Sequence, residues 1–359
     1  MSPDDSPRTE AGDLLSATCP LPITDYKEIV LAHGSGGKLS HQIISKMVLP
    51  QFTNDFLAPL HDGAIFSLGK ERVAFSTDSY VVNPIFFPGG DIGKLAVHGT
   101  VNDLAMCGAK PLYLSVGFIL EEGLPMEDFW RVVQSMHAAA DAAGVQIVTG
   151  DTKVVNRGKA DKIFINTAGI GLIAEETRID PTRAQPGDKV IINGPIAVHG
   201  IAIMSVREGL EFETEIASDT AALHGLVSEL LKTCPDVHVL RDPTRGGVTS
   251  ALTEIAQAAQ VGVVLQEACI PISEEVKGAC EILGLDPLYV ANEGKVIAII
   301  AAAEAEKALA TFRQHSLGKE AAIIGEITDD HPGFVVMKTR VGGTRVVDML
   351  SGEQLPRIC

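Results

Sequence analysis

Five aspartates sit where strand-like or turn-like segments break off. They are Asp62 in His61-Asp62-Gly63-Ala64, Asp78 in Ser76-Thr77-Asp78-Ser79, Asp103 in Val101-Asn102-Asp103-Leu104, Asp151 in Thr149-Gly150-Asp151-Thr152-Lys153, and Asp242 in Arg241-Asp242-Pro243-Thr244-Arg245-Gly246-Gly247. A carboxylate keeps its charge in an apolar setting only when a cation or several donors compensate it. Asp78 and Asp103 are embedded in otherwise apolar segments, so each needs such a partner. Singly, each aspartate reads as a turn or cap residue. As a set, with glycines beside three of them, they read as a metal–phosphate site, because Mg²⁺ prefers hard oxygen ligands shared with phosphate oxygens.

Two glycine-rich loops fit the same chemistry. In His33-Gly34-Ser35-Gly36-Gly37-Lys38, the Gly36–Gly37 backbone N–H groups and the Lys38 ammonium can wrap phosphates. Arg245 and Gly246 lie just before a predicted helix, whose N-terminus favours an anion. Neither is a P-loop, because Gly-x4-Gly-Lys-Ser/Thr occurs nowhere. Gly169-Ile170-Gly171-Leu172-Ile173-Ala174 matches a loose dinucleotide pattern, but it lies inside an apolar strand and reads as strand. Two further polar clusters are Gly150-Asp151-Thr152-Lys153, ending a strand, and Asn292-Glu293-Gly294-Lys295, preceding one. Lys153 and Glu293 can serve as electrophile and base, or form a surface ion pair. The ten histidines show no zinc spacing.

One thiol stands apart. The sequence closes on Glu353-Gln354-Leu355-Pro356-Arg357-Ile358-Cys359. Pro356 makes this stretch an extended strip rather than a helical turn. An exposed free cysteine invites oxidation and brings no structural gain. Prenylation does not explain it, since the prenylated cysteine is fourth from the end. It is either a chance residue on a frayed tail or a mobile nucleophile that carries a group into an active site. An unperturbed thiol, of pKa about 8.5, is mostly protonated near neutrality; Arg357 would favour the thiolate and the terminal carboxylate would oppose it.

The whole-chain numbers narrow the class. With 359 residues, 46% of them hydrophobic and 21% charged, the chain is a compact globular protein of two domains or one large α/β domain. A net charge of −17 argues against nucleic acid as partner. No apolar run reaches membrane-spanning length, and the polar first ten residues are not a signal peptide. The six cysteines form no Cys-x-x-Cys pair, which argues against a zinc site or disulfide framework and for a reducing cytoplasm. Cys107, Cys269 and Cys280 read as small core residues.

These candidates need elements to hold them. Residues 1–25 form a loose leader with four prolines. Strands are predicted over 73–82, 112–120, 146–149 and 162–173. A helix with one buried face is predicted over 91–107, stopped by Gly108, and a second over 125–143, stopped by Gly144. The turn-rich stretch 180–188 is the predicted joint between an N-terminal domain, 26–180, and a C-terminal α/β domain, 181–345. Within the second, strands are predicted at 189–193, 261–267 and 296–301, and helices at 201–208, 220–232, 246–259 and 304–315. Short strands at 333–336 and 344–347 precede a mobile tail, 346–359. That tail can span roughly 40–50 Å when extended, more than the ~20 Å radius of a chain this long.

The ordered segments 33–38, 61–64, 76–79, 101–109, 150–154, 242–247 and 292–295 resemble the aminoimidazole ribonucleotide synthetase superfamily, which includes selenophosphate synthetase and thiamine-monophosphate kinase. The closing Pro356-Arg357-Ile358-Cys359 is similar to the branch of carbamoyl dehydratases that mature [NiFe]-hydrogenases, from about Tyr26 onward. The resemblance implies an α+β fold of two PurM-like domains with a flexible tail, the first domain binding ATP and forming a homodimer whose sheets combine into a barrel. It implies ATP and Mg²⁺, with Asp62, Asp78, Asp103 and Asp242 on the metal. Gly36, Gly37, Lys38, Asn102, Gly150, Asp151, Thr152, Arg245 and Gly246 join those four aspartates around the nucleotide. A carbamoyltransferase, HypF, would load Cys359. ATP would then activate the S-carboxamide oxygen, with Lys153 and Glu293 polarising and deprotonating the amide. The thiocyanate formed would give its cyanide to a HypC–HypD complex. Two alternatives remain: a selenophosphate synthetase-like or small-molecule kinase, and a non-enzymatic thiol carrier. Against the former, Lys38 stands where the reactive Cys or selenocysteine is usual, and the nearest cysteine is Cys19.

Overall fold

The computed structural model describes residues 22–23, 25–209, 215–352 and 358–359. The predicted leader lies almost entirely outside the described residues, as do Cys19, Pro356 and Arg357.

The first half starts with a short helix, α1 (Lys38–Ile43), at the end of the first glycine loop. Strands β1 (Ala64–Leu68) and β2 (Glu71–Tyr80), a small hairpin β3 (Phe86–Phe87) and β4 (Gly90–Asp91), and helix α2 (Ile92–Met106) follow. Then come β5 (Ala109–Glu121), α3 (Met126–Ala143), β6 (Gln146–Val155) and β7 (Ile163–Ile173). Five strands pair in the order β1-β2-β7-β5-β6, antiparallel except for β5–β6. Helices α2 and α3 cover one face of the sheet. The other face carries exposed Phe75, Tyr113, Ile170 and Leu172, with Phe75, Ile170 and Tyr113 in one cross-strand row.

The Asp91 carboxylate caps α2, accepting the Gly93 and Lys94 N–H groups at 2.7 and 3.1 Å. The sequence predicted one buried face for this helix, but it is buried nearly all round. It packs on β2 and β7 below, on α3 beside, and on elements of the second half above. Its polar residues His98, Thr100 and Asn102 therefore need internal partners. Helix α3 ends as expected, with Gly144 in the left-handed conformation at φ +65°.

The second half contains β8 (Lys189–Ile192), α4 (Val198–Glu208), α5 (His224–Thr233), β9 (Val237–Arg241), α6 (Gly247–Ala259), β10 (Gly262–Gln266) and α7 (Glu274–Leu283). It continues with β11 (Ile297–Ile300), α8 (Ala305–Gln314), β12 (Ala322–Thr328), β13 (Val335–Lys338) and β14 (Thr344–Val347). Seven strands pair in the order β14-β13-β10-β12-β8-β11-β9. Helices α4, α6 and α7 pack on one face, against Val190, Ile192, Ile297 and Ile299. Helices α5 and α8 cover the other, against Ile191, Ala298 and Ile300. Burial on both faces explains why β8 and β11 read as unbroken apolar runs.

The predicted strand at 146–149 runs on to Val155, because pairing with β5 overrides the weak strand propensity of Gly150 and Asp151. Cys107 and Cys280 are buried as expected. Cys269 is exposed, on the short 3-10 turn Glu267–Cys269 rather than in the core. Among the described residues no helix is long and apolar enough to cross a membrane.

Candidate functional site

Four of the five aspartates converge where the two halves meet. Asp62 leads into β1, Asp78 lies on β2, Asp103 on α2, and Asp242 directly follows β9. The Ser76 hydroxyl lies 2.8 Å from the Asp62 carbonyl and 2.7 Å from Asp103 Oδ2. Its single proton serves one of them. A protonated Asp103 donating to Ser76, which in turn donates to Asp62, satisfies both contacts.

Electrostatics agree with that protonation. Burial, then the neighbouring Asp242, Asp78 and Asp62, hold the Asp103 carboxyl well above the usual range. Asp242 is pushed up to about 8, first by burial and then by Asp62, with Arg241 opposing. Burial also raises Asp78, against Arg245. One cation is already spent: Arg241 Nε lies 3.1 Å from Asp62 Oδ1, and its guanidinium also pairs with Glu254.

This crowding of neutralised carboxyls fits a divalent cation, which would reverse the preference for protonation. The buried Asp62 Oδ2 has no hydrogen-bond partner among the described residues. Among the described residues, no three acidic, imidazole or thiol groups make a ready metal cage. Asp62, Asp78, Asp103 and Asp242 thus suit an ion that shares its shell with phosphate oxygens and water.

A cavity of ≈290 Å³ adjoins the aspartates, lined by both glycine loops together with Asp62, Arg241 and Asp242. The loops touch. A side chain on Gly36 (φ +75°) would strike the Arg245 backbone at 2.7 Å, and one on Gly246 (φ +78°) would strike the Gly36 carbonyl at 2.7 Å. Ser250 Oγ donates to Gly36 O at 2.8 Å, and α6 starts at Gly247, directly after Gly246. Lys38 turns away: its N–H donates to Leu350 O at 2.9 Å, and its ammonium pairs with Asp348 at 2.6 Å.

Cys359 reaches this junction. It is buried, with Ile358, among Tyr80, Val82, Leu95, Ile203 and Ala291. The Val81 N–H donates to Cys359 O at 3.2 Å. Burial holds its thiol well above the ordinary range; Arg245 opposes this, while Glu293 and Asp78 add to it. Glu293 is buried too and is raised well above its usual range, by burial and then by Asp242 and Asp78. Its Oε1 has no hydrogen-bond partner among the described residues.

The Glu293 loop is braced from several sides. Asn292 Nδ2 donates to Pro243 O at 2.8 Å, and its Oδ1 accepts the Ala197 N–H at 2.7 Å. Asp219 Oδ1 accepts the Glu293 N–H at 3.2 Å, and Lys295 pairs with Asp219 at 3.0 Å. Asn102 donates to Ala221 O and Glu293 O, at 3.0 and 3.3 Å, and accepts the Leu223 N–H at 2.8 Å. It thus joins α2 to the second half, a bracing position in this chain.

Lys153 and Asp151 do not join the cluster within one chain. Asp78, Thr167, Val116 and Gly150 form one cross-strand row on the helix-covered face. Alternation sends Asp151 and Lys153 to the open face and returns Thr152 to the covered one. On the exposed edge strand, Lys153 Nζ pairs with Asp151 at 2.5 Å. Gly150 is demanded by packing, since a side chain there would meet Val116 O at 2.5 Å.

The sequence reading missed Ser76, Arg241, Asp219 and His199. Arg241 was findable, as the residue next to Asp242; Asp219 and His199 carry no local signal.

Two α/β halves in tandem, with glycine loops and carboxyls at their junction, define an AIR synthase related protein. The chain matches that family's N-terminal domain over residues 60–173 and its C-terminal domain over residues 185–338. It is 55% identical over 332 residues to carbamoyl dehydratase HypE of Cupriavidus necator, covering 92% of this chain and 95% of that protein. A crystal structure of HypE in complex with ATP superposes with TM-score 0.79 at 51% identity, over 92% of this chain and all 100% of that one. A HypE–HypF complex structure gives TM-score 0.82 at 48% identity, over 86% of this chain and 99% of that one. The chain belongs to the carbamoyl dehydratase HypE family.

Proposed function

We propose that this protein is an ATP-dependent carbamoyl dehydratase of hydrogenase maturation, converting an S-carboxamide on Cys359 to a thiocyanate. The observation that carries the reading is the burial of the Cys359 thiol between Arg245 and Glu293, beside the aspartate-lined cavity. High identity to named carbamoyl dehydratases supports the activity, and the ATP-bound relative supports the nucleotide.

The balance is that of a dehydration driven by phosphoryl transfer. The carboxamide oxygen takes the γ-phosphoryl group of ATP and ADP leaves. The C–O bond then breaks, phosphate departs with that oxygen, and nitrogen loses both protons to give S–C≡N. Phosphorylation is needed because oxide is a poor leaving group. With a cation neutralising Asp242 and Asp78, two of the groups that keep Glu293 protonated, Glu293 would ionise and take a proton from nitrogen, and Arg245 faces the charge that grows on oxygen. The inserted tail excludes water, which would compete for the phosphoryl group. Asp62, Asp78, Asp103 and Asp242 would hold Mg²⁺, which would supply charge neutralisation on the phosphoryl oxygens.

Gly36, Gly37 and Gly246 are proposed to line the phosphates, with Asn102, Gly150 and Thr152 around the nucleotide. Lys38, with its ammonium on Asp348, would have to exchange partners to join them. Asp151 and Lys153 reach a site only across a homodimer, and the exposed apolar row Phe75–Ile170–Tyr113 supports a second copy covering the open sheet face. HypF as carbamoyl donor is supported by the HypE–HypF relative. The HypC–HypD complex as cyanide acceptor and a cytoplasmic location complete the proposal. Cys359→Ala tests it: the variant should fold and bind ATP yet form no thiocyanate. Product formation by that variant would contradict the reading.

A further inference from the structure

Helix α4 enters beside the inserted tail, and its second residue, His199, is fully buried at 0% exposure. The imidazole stands edge-on to Phe87, with ring centroids 5.6 Å apart at 84°. Its Nδ1 lies 2.7 Å from Ser218 Oγ, and its Nε2 lies 2.9 Å from the carbonyl oxygen of Ile358. One contact fixes the tautomer and the other is compatible with it. Ser218 Oγ already accepts the Thr220 N–H at 3.1 Å, so its own proton is free to go to Nδ1. The Ile358 carbonyl can only accept, so Nε2 must carry hydrogen. The Ile358 carbonyl sets the hydrogen on Nε2, Ser218 can donate to the Nδ1 left bare, and burial favours that neutral ring.

The relay grips the tail one residue before the thiol. With the Val81 N–H on Cys359 O at 3.2 Å, it fixes the main chain on both sides of the Cys359 α-carbon. The side chain lies towards Arg245 and Glu293. The anchorage is also tied to the Glu293 loop: Ala197 and Gly200 at the start of α4 donate to Asn292 Oδ1 and Ala291 O, at 2.7 and 3.1 Å.

We propose that His199, held in its Nε2–H tautomer by Ser218, is the positioning residue that seats the inserted tail by binding the Ile358 carbonyl. Catalytic use of that seat rests on the reading of Cys359 as the substrate-carrying residue. The ring touches no reacting atom; it acts by holding the tail in register.

The test uses the full-length protein with His199→Phe, which keeps a ring against Phe87 but removes both polar contacts. Alkylation of Cys359 by iodoacetamide, read at that residue by peptide mass spectrometry, reports how often the tail leaves its seat. Loss of one buried hydrogen bond should speed alkylation about tenfold and slow thiocyanate formation by carbamoylated protein about tenfold. ATP affinity should not change. His199→Gln, which returns an N–H donor near the Nε2 position, should restore both rates in large part. Unchanged alkylation in folded His199→Phe would overturn the proposal, as would a defect that His199→Gln leaves untouched. Should His199→Phe not fold, Ser218→Ala keeps the ring and removes the partner that holds Nδ1; faster Cys359 alkylation supports the relay and an unchanged rate overturns it. If wild-type protein protects Cys359 but makes no thiocyanate, the functional reading fails, while the alkylation contrast still decides the role of His199.

Discussion

The Arg245 guanidinium stands beside the Cys359 thiol: it opposes the burial that holds the thiol's proton on, and the thiol in turn favours the charged guanidinium. Arg245 also lies beside Asp78 and Glu293 and contacts the first glycine loop, its Nη1 3.4 Å from Gly34 O. One cation thus links tail, carboxyl cluster and loop. Arg245→Gln should slow dehydration by about 10²–10³-fold, the scale of losing one charge-stabilising donor. Carbamoylated protein should accumulate, as read by intact mass, and Arg245→Lys should recover only part of the rate.

Glu293→Gln removes the proposed base without changing shape. Because burial and neighbouring carboxyls already hold Glu293 largely neutral, the variant should unfold within about 1 kcal/mol of wild type, or later. Dehydration should drop about 10²–10⁴-fold. Melting curves and single-turnover assays on the same preparation check both halves.

Much of this was legible in the sequence, for physical reasons. Asp78 and Asp103 stand out because a charge in an apolar run demands an explanation, and both fall in the cluster. Strong helix stops, such as Gly144, and long apolar strands, such as β7, were placed nearly to the residue. Strand β9 was not seen, because five residues with one histidine give too short an alternation. Strand β12 was not seen either, because Gly325 interrupts its apolar run. Helix α7 was missed although Ser273 caps it and Gly284 ends it. Lys153 and Glu293 look alike as residues in polar clusters. Only strand register reveals that Lys153 faces away, and only the return of distant loops reveals that His199 and Asp219 serve the site.

The carboxyl crowding predicts a cation-dependent gain in stability. Mg²⁺–ATP at 100 times its dissociation constant should stabilise the fold by about 2.7 kcal/mol, and a chelator should remove most of that gain. Asp103→Asn should keep or raise the melting temperature without nucleotide, since it removes a group held neutral by burial. The same variant should lose most of the Mg²⁺–ATP shift, which thermal melts with and without EDTA will read.

His98 sets an acid limit. Burial holds it near 4 rather than 6.5, with its Nδ1 3.2 Å from Thr220 Oγ1. A depressed histidine contributes fully above pH 6.5, and its contribution falls as pH drops through 6.5 toward 4. The difference is worth about 3 kcal/mol. Urea unfolding between pH 7 and 4 should show that loss, and His98→Gln should show a flatter profile over the same window.

The central claim, that the chemistry takes place on Cys359, is tested most directly by intact mass spectrometry. The full chain is loaded by the carbamoyltransferase with carbamoyl phosphate, then given ATP and Mg²⁺. The account predicts a carbamoyl adduct at Cys359 that loses the mass of one water, with one ADP formed for each thiocyanate. An adduct that stays at carbamoyl while ATP is present, or a water loss on any residue other than Cys359, would contradict it.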